Sequence, residues 1–290
     1  MQKVDKRYNE YLSIFENYLN EYFNNLNNLS PVLKNAMEYS VKNGGKRIRP
    51  VLTLAVADML GIDFQSVLNY ALAIEMVHSY SLVHDDLPCM DNDDYRRGKL
   101  STHKKFGEAL GVLTGDALLN SAFEVALISK NLPDAHIKAV KTIFELAGAK
   151  GMISGQVLDL ESENKSLDEE TLIKIYTDKT CKLLIAPVVV PSIIANDVYY
   201  DNLTQFAFNL GVMFQISDDI LDVEGDFELL GKSLNKDLDS DKFTAIKLWG
   251  LGGAKQKAEY YYNQCINNIK DIPNNQFLLD FTYKIYTRKR

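Results

Sequence analysis

The chain has 290 residues, 46% of them apolar, and a formal charge of −7. That length can bury a sizeable core, and the acidic balance argues against a nucleic-acid partner or a polybasic membrane contact. Three scattered cysteines, Cys89, Cys181 and Cys265, show no CxxC spacing and fit a reducing compartment better than a disulfide scaffold.

The opening stretch, MQKVDKRYNEYL, lacks the apolar core of a secretory signal, so the expected location is the cytoplasm. Tyr8, Tyr11, Leu12, Phe15, Tyr18, Leu19, Tyr22, Phe23 and Leu26 recur at the spacing of one helical face. This aromatic stripe reads as core or subunit interface. Asparagines crowd positions 17–28, and no function follows from them. Ser30-Pro31 opens a helix that Gly44-Gly45 closes, and Gly61 ends another. Ser166 to Glu169 has the spacing of a capping box. The apolar run from Leu183 to Ala195 is 13 residues long and contains Pro187 and Pro191. A bilayer span needs roughly 20 residues, so the run reads as a buried helix and no membrane insertion is expected. Pro273 precedes the final helix. With no alternating strand pattern, linker or fixed-period repeat, the reading is all-α: about ten or more helices in a single domain, residues 1–290.

Two acidic clusters stand out. In HSYSLVHDDLPCMDNDDYRRG, Asp85, Asp86 and Asp91 precede the pair Arg96-Arg97. On an unbroken helix Asp85 and Asp91 would point about 120° apart. Pro88 cannot continue the helix without losing a hydrogen bond, so a break is expected where the carboxylates lie. In FQISDDILDVEGD, Asp218 and Asp222 stand at i and i+4, about 40° apart on one face. Like charges about 4 Å apart repel by about 4 kcal/mol at an effective dielectric near 20, and a bound cation removes that cost. Mg²⁺ suits such sites, because it takes oxygen ligands, keeps waters and bridges a few carboxylates to phosphates. Zinc would want histidine or cysteine nearby. A lone cluster of this kind is usually a solvated face; two, each beside an apolar run and trailed by cations, point to metal.

The cations are grouped as well. GGKRIRP sets Lys46, Arg47 and Arg49 at a glycine-loosened helix junction; Arg96, Arg97 and Lys99 follow the first acidic cluster. Lys179 stands in TDKTCK, and Lys232 and Lys242 follow the second cluster. Arginine forks grip phosphate oxygens bidentately, while lysine acts as a point charge. The pattern suggests two anion sites, one bridged by metal and one held by side chains.

With GGKRIRP, HSYSLVHDDLPCMD, RRGK, THKKFGEA, GDALL, GMISGQVLDL, Lys179-Thr180, FQISDDILD and LGK in this order, the chain resembles the trans-prenyltransferases of the isoprenoid synthase fold, and is similar to bacterial farnesyl diphosphate synthases. The resemblance implies a helical bundle around a central cavity, a homodimer, and magnesium as cofactor, about three ions per active site with substrate bound. It implies that Asp85, Asp91 and Asp218 coordinate Mg²⁺, with Asp86, Asp219 and Asp222 assisting. Arg96, Lys179, Lys232 and Lys242 would hold an allylic diphosphate, dimethylallyl or geranyl. Lys46, Arg49, His78 and Arg97 would hold isopentenyl diphosphate. Thr180 and Gln215 would line the reacting carbons, with Gln215 also against the allylic substrate. Both aspartate stretches would grip one pyrophosphate across a single cavity. Cys181 departs from the family, which usually has a smaller residue there, and DKFTAIK lacks the tyrosine-proline that often follows.

The implied reaction ionises the allylic carbon–oxygen bond, after which the double bond of isopentenyl diphosphate attacks the cation and a proton leaves to pyrophosphate. Product length would depend on Tyr80 and Ser81, in the helix before the first motif; Tyr80 lies five residues before Asp85, about 7.5 Å along the axis. In bacterial farnesyl synthases an aromatic here, with an insertion such as Pro88-Cys89, accompanies a fifteen-carbon product; geranyl and geranylgeranyl synthases are the alternatives. A class I terpene cyclase would usually replace the second aspartate cluster by an Asn/Ser/Glu motif. A non-catalytic subunit of a heteromeric synthase would typically lose one cluster. Both clusters are kept.

Overall fold

A computed structural model describes residues 2–128, 133–229 and 243–288. The chain forms two compact units, Gln2–Val140 and Lys141–Arg290. Among the described residues the only strands are a pair of two residues each, so the all-α reading holds.

The N-terminal unit begins with α1 (Gln2–Asn25), followed by α2 (Pro31–Lys42), α3 (Ile48–Met59) and α4 (Leu68–Asp85). The aromatic stripe of α1 is core: Tyr11, Phe15, Leu19 and Phe23 are fully buried, and α1 packs on α3 and α4. The asparagines lie on its exposed face and beyond its end, where Asn28 takes a left-handed φ of 64°, a conformation asparagine tolerates. α4 is mostly apolar, and every residue from Leu68 to Val77 is buried, Asn69 and Glu75 included, as expected of a central helix. It ends at Asp85. Pro88 has no N–H to give the His84 carbonyl, and Leu87 N donates there instead at 3.1 Å, tightening the last turn.

A hairpin follows, β1 (Tyr95–Arg96) and β2 (Lys99–Leu100). Its two turn residues, Arg97 and Gly98, both have positive φ, as a tight hairpin turn requires. Strands this short cannot show alternation, which is why the sequence pattern does not reveal them. Next come α5 (Thr102–Phe106) and α6 (Glu108–Leu127). Among the described residues α6 is the one helix long and apolar enough to cross a membrane by length and composition. Here it packs along α4, α2 and α5. Val112, Leu113, Phe123 and Leu127 remain exposed on it. The boundary between units falls within α7 (Pro133–Ala147).

The C-terminal unit contains α8 (Met152–Glu161), α9 (Glu169–Ile175), α10 (Lys182–Ile194), α11 (Tyr200–Leu229), α12 (Ala245–Ile269) and α13 (Gln276–Tyr286). α9 is capped by Asp168, which accepts from Thr171 N at 2.8 Å, so the cap lies two residues past the expected Ser166. The carboxylate is the stronger acceptor next to the helix start. Between α9 and α10 a widened π-type turn, Tyr176–Cys181, carries Lys179 and Thr180. α10 is the apolar run, buried from Leu183 to Ile193 and continuous through both prolines. α11 packs along α10, α12 and the π-type turn. Cys181 meets Gly211 of α11 so closely that any side chain at 211 would collide with its sulfur. Glycine at 211 thus leaves room for Cys181, and burial pushes the Cys181 thiol up, away from reactivity.

Candidate functional site

The first acidic cluster is built on the end of α4. Asp85 is its last residue and Asp86 its C-cap. The chain turns at Pro88 and comes back so that Asp91 N donates to the Asp85 carbonyl at 2.9 Å. The kink that the spacing demanded therefore brings the backbones of Asp85 and Asp91 together. Asp85 is partly exposed and Asp91 exposed, whereas Asp86 is buried. Arg96 holds Asp86 through Nε at 2.9 Å and through Nη2, and also reaches Asp93 at 3.3 Å. Burial nonetheless raises the Asp86 pKa, with Arg96 opposing the shift. Arg96, expected on a diphosphate, is thus engaged by two carboxylates.

The second cluster lies within α11, where Gln215, Asp218, Asp219 and Asp222 follow at helical spacing. Gln215, Asp218 and Asp219 are partly buried; Asp222 is exposed. Asp219 accepts from Tyr176 Oη and from Ala245 N at 2.7 Å, the latter at the first residue of α12. Asp218 accepts from Arg288, whose guanidinium also reaches the Phe214 carbonyl at 3.2 Å and lies over the Phe214 ring at 4.1 Å. Lys179 of the π-type turn donates to Asp159 of α8 at 2.6 Å. Thr180 is partly buried beside it. Lys232 and Lys242 lie outside the described residues.

The N-terminal cations gather around His78. Burial, then the charges of Arg49, Arg97, Arg47 and Arg96, hold its imidazole well below the ordinary histidine pKa, so it is neutral at pH 7. Arg49 is pushed down to about 10 by burial, with Glu75 opposing and Arg97 adding to the shift. Its Nε is buried without a hydrogen-bond partner. Arg97 donates to the Gly44 carbonyl and lies flat on Gly45, where a Cβ would stand within 3 Å of its guanidinium. Lys46 is exposed. Arg47 turns inward and bonds Glu16 at 2.7 Å and Glu75 at 2.9 Å. Upstream of the aspartates, Tyr80 is buried with its ring edge-on to His84, 5.8 Å between centroids, and Ser81 donates to the His78 carbonyl at 2.9 Å.

Geometry thus joins Asp85 with Asp91, and Arg49 and Arg97 with His78. It pairs Arg96 and Lys179 with protein carboxylates. Glu75, Asp159, Tyr176 and Arg288 escaped the reading of the sequence. Glu75 alone left a signal, a single charge inside an apolar helical run. The donor set fits a hard cation. Among the described residues no group of three or more His, Cys, Asp or Glu converges, so any ion would complete its shell with water and phosphate, as Mg²⁺ does.

Residues 30–276 match the family described as Polyprenyl synthetase. The farnesyl diphosphate synthase of Micrococcus luteus is 45% identical over 247 residues, 83% of this chain and 84% of that protein. The geranylgeranyl diphosphate synthase of Cyanophora paradoxa is 41% identical over 244 residues, 82% of this chain and 81% of that one. A crystal structure of a geranyltransferase from Helicobacter pylori, complexed with magnesium and isoprenyl diphosphate, superposes with a TM-score of 0.82 at 33% identity, covering 96% of this chain and 95% of that one.

Proposed function

The chain belongs to the polyprenyl synthetase family, and from that premise we propose that it joins an allylic diphosphate, dimethylallyl or geranyl, to isopentenyl diphosphate, giving farnesyl diphosphate. The observation that carries this reading is one face of α4. His78 and Asp85 are seven residues apart on α4, hence on the same side and about 10.5 Å apart along the axis. One end of that face meets the arginines Arg49 and Arg97; the other carries the paired stretch Asp85–Asp91. Two diphosphates, one held by cations and one by metal, fit such an arrangement.

In this proposal Asp85, Asp91 and Asp218 hold Mg²⁺, and Asp222 assists. When bound, magnesium supplies Lewis-acid stabilisation of the departing pyrophosphate. Asp86 and Asp219 keep the two segments in place through Arg96 and Tyr176, and would assist in holding the ions. Arg96, Lys179, Lys232 and Lys242 hold the allylic diphosphate. For Lys179 this means exchanging Asp159 for phosphate oxygens. Lys46, Arg49, Arg97 and neutral His78 hold isopentenyl diphosphate, His78 as hydrogen-bond partner. Thr180 and Gln215 line the reacting carbons. No side chain is required as nucleophile, and apolar helices keep water from the carbocation.

Tyr80, buried against His84 on α4, sets the fifteen-carbon limit, with Ser81 beside it. The whole chain acts as one isoprenoid synthase domain. The exposed apolar residues of α6, Val112, Leu113, Phe123 and Leu127, support a homodimer, and the three free thiols suit the cytoplasm. Incubating the purified chain with dimethylallyl and isopentenyl diphosphates and Mg²⁺ tests the reading. Farnesyl diphosphate is expected; no condensation product at all would overturn it, and a geranylgeranyl product would reassign Tyr80.

A further inference from the structure

The loop that carries the N-terminal cations is held in an unusual backbone. Gly44 and Gly45 have φ of 84° and 115°, and Arg47, which is not glycine, has φ of 47°. A left-handed conformation is costly for such a residue and persists only where its surroundings hold it. Two helices do so. Glu16 of α1 accepts from Arg47 Nε at 2.7 Å, and Glu75 of α4 accepts from Nη1 at 2.9 Å. Tyr8 of α1 adds a bond to the Lys46 carbonyl. The side chains of Arg47 and Glu75 are each only 3% exposed, so this pair is dry. Glu75 is also a charge in the fully buried stretch of α4, one turn before His78.

Arg47 is the N-cap of α3. Lys46 immediately precedes it, and Arg49 is the second residue of the helix it opens. Whatever fixes Arg47 therefore fixes where both neighbours point. We propose that Glu75 is a positioning residue for isopentenyl diphosphate: by holding Arg47 in its left-handed N-cap it aims Lys46 and Arg49 at the diphosphate. The proposal rests on the reading above that these cations bind that substrate.

Charge and geometry make opposite predictions, which makes the idea testable. Glu75 is an anion behind an anion site, so by charge alone it weakens diphosphate binding, and its neutralisation would lower KM. By position it strengthens binding, and its loss raises KM. Steady-state kinetics of the full chain with Mg²⁺ should be compared for the unaltered protein, Glu75→Gln and Arg49→Gln. Glu75→Gln is expected to raise KM for isopentenyl diphosphate about tenfold or more, with KM for the allylic substrate within about twofold. Arg49→Gln should move the same KM in the same direction. If Arg49→Gln raises that KM while a folded Glu75→Gln leaves or lowers it, the positioning role is wrong and the site assignment stands. If neither moves it, the site assignment itself fails and the proposal with it. A fall in kcat at unchanged KM marks Glu75 as merely structural and also overturns the proposal. Should circular dichroism show Glu75→Gln unfolded, Glu16→Gln loosens the same Arg47 from a side that is 35% exposed; it must raise the same KM, and an unchanged value contradicts the proposal.

Discussion

In the N-terminal unit the aspartates sit where a helix stops; in the C-terminal unit they sit within a helix that runs on. α4 ends at Asp85, and Pro88 turns the chain so that Asp91 bonds back to Asp85. α11 continues past Asp222, and its spacing alone puts Asp218 and Asp222 on one face. Beneath this difference lies a shared pattern of contacts. In each doubled aspartate the second member turns to a structural donor: Asp86 to Arg96, Asp219 to Tyr176 and the Ala245 amide. The proposed metal ligands Asp85, Asp91, Asp218 and Asp222 form the other, outer set, of which Asp218 also accepts from Arg288. Adjacent acids in one motif can thus meet different partners, because successive helical positions point about 100° apart.

The hardest blow to this comparison comes from removing an outer carboxylate. Asp85→Ala and Asp218→Ala are each expected to cut turnover by about a thousandfold or more, with an unchanged helical circular-dichroism spectrum. Retained activity at ordinary Mg²⁺ contradicts the metal assignment. Removing an inner one should act on the fold as well as on turnover. Asp86→Ala leaves the Arg96 guanidinium without its main partner and should cost about 3 kcal/mol of stability, measured by urea denaturation. Asp85→Ala should stay within about 0.5 kcal/mol. Equal losses from both would erase the division.

Tyr80→Ala sharpens the account of α4, the helix that bears the first cluster. It removes a buried aromatic, so product analysis should show chains longer than fifteen carbons, with a stability loss of about 3 kcal/mol. An unchanged chain length frees Tyr80 from the role of tunnel floor.

The smallest effect concerns His78 on the same helix. Its folded pKa lies below the unfolded value near 6.5, so the unfolded chain binds more protons between the two. Its contribution is complete above about pH 6.5 and is lost as pH falls toward the folded pKa, at up to about 1.4 kcal/mol per pH unit. Comparing His78→Gln with the unaltered chain by denaturation from pH 7 to pH 5 should show a flatter profile in the variant; identical slopes would remove His78 as the source.

Much of this was legible in the sequence, and the reason is locality. The stripe of α1, the break at Pro88 and the i, i+4 pair Asp218/Asp222 depend on neighbours a few residues away, so spacing displays them. What escaped depends on distant partners. That Asp219 faces inward follows from Tyr176, 43 residues earlier, and from the start of α12. That Arg47 is structural follows from Glu16 and Glu75; within GGKRIRP it looks like its neighbours. Arg288 meets Asp218 from 70 residues away, with nothing in its own surroundings to announce it. The hairpin at Arg97-Gly98 is local but too short for a period.

A crystal structure with Mg²⁺ and a non-reactive allylic diphosphate analogue tests the division between inner and outer acids most directly. The account predicts ions bonded to Asp85, Asp91 and Asp218 and to the diphosphate, with Asp86 still on Arg96 and Asp219 still on Tyr176. Magnesium and diphosphate bound away from those three aspartates would contradict it.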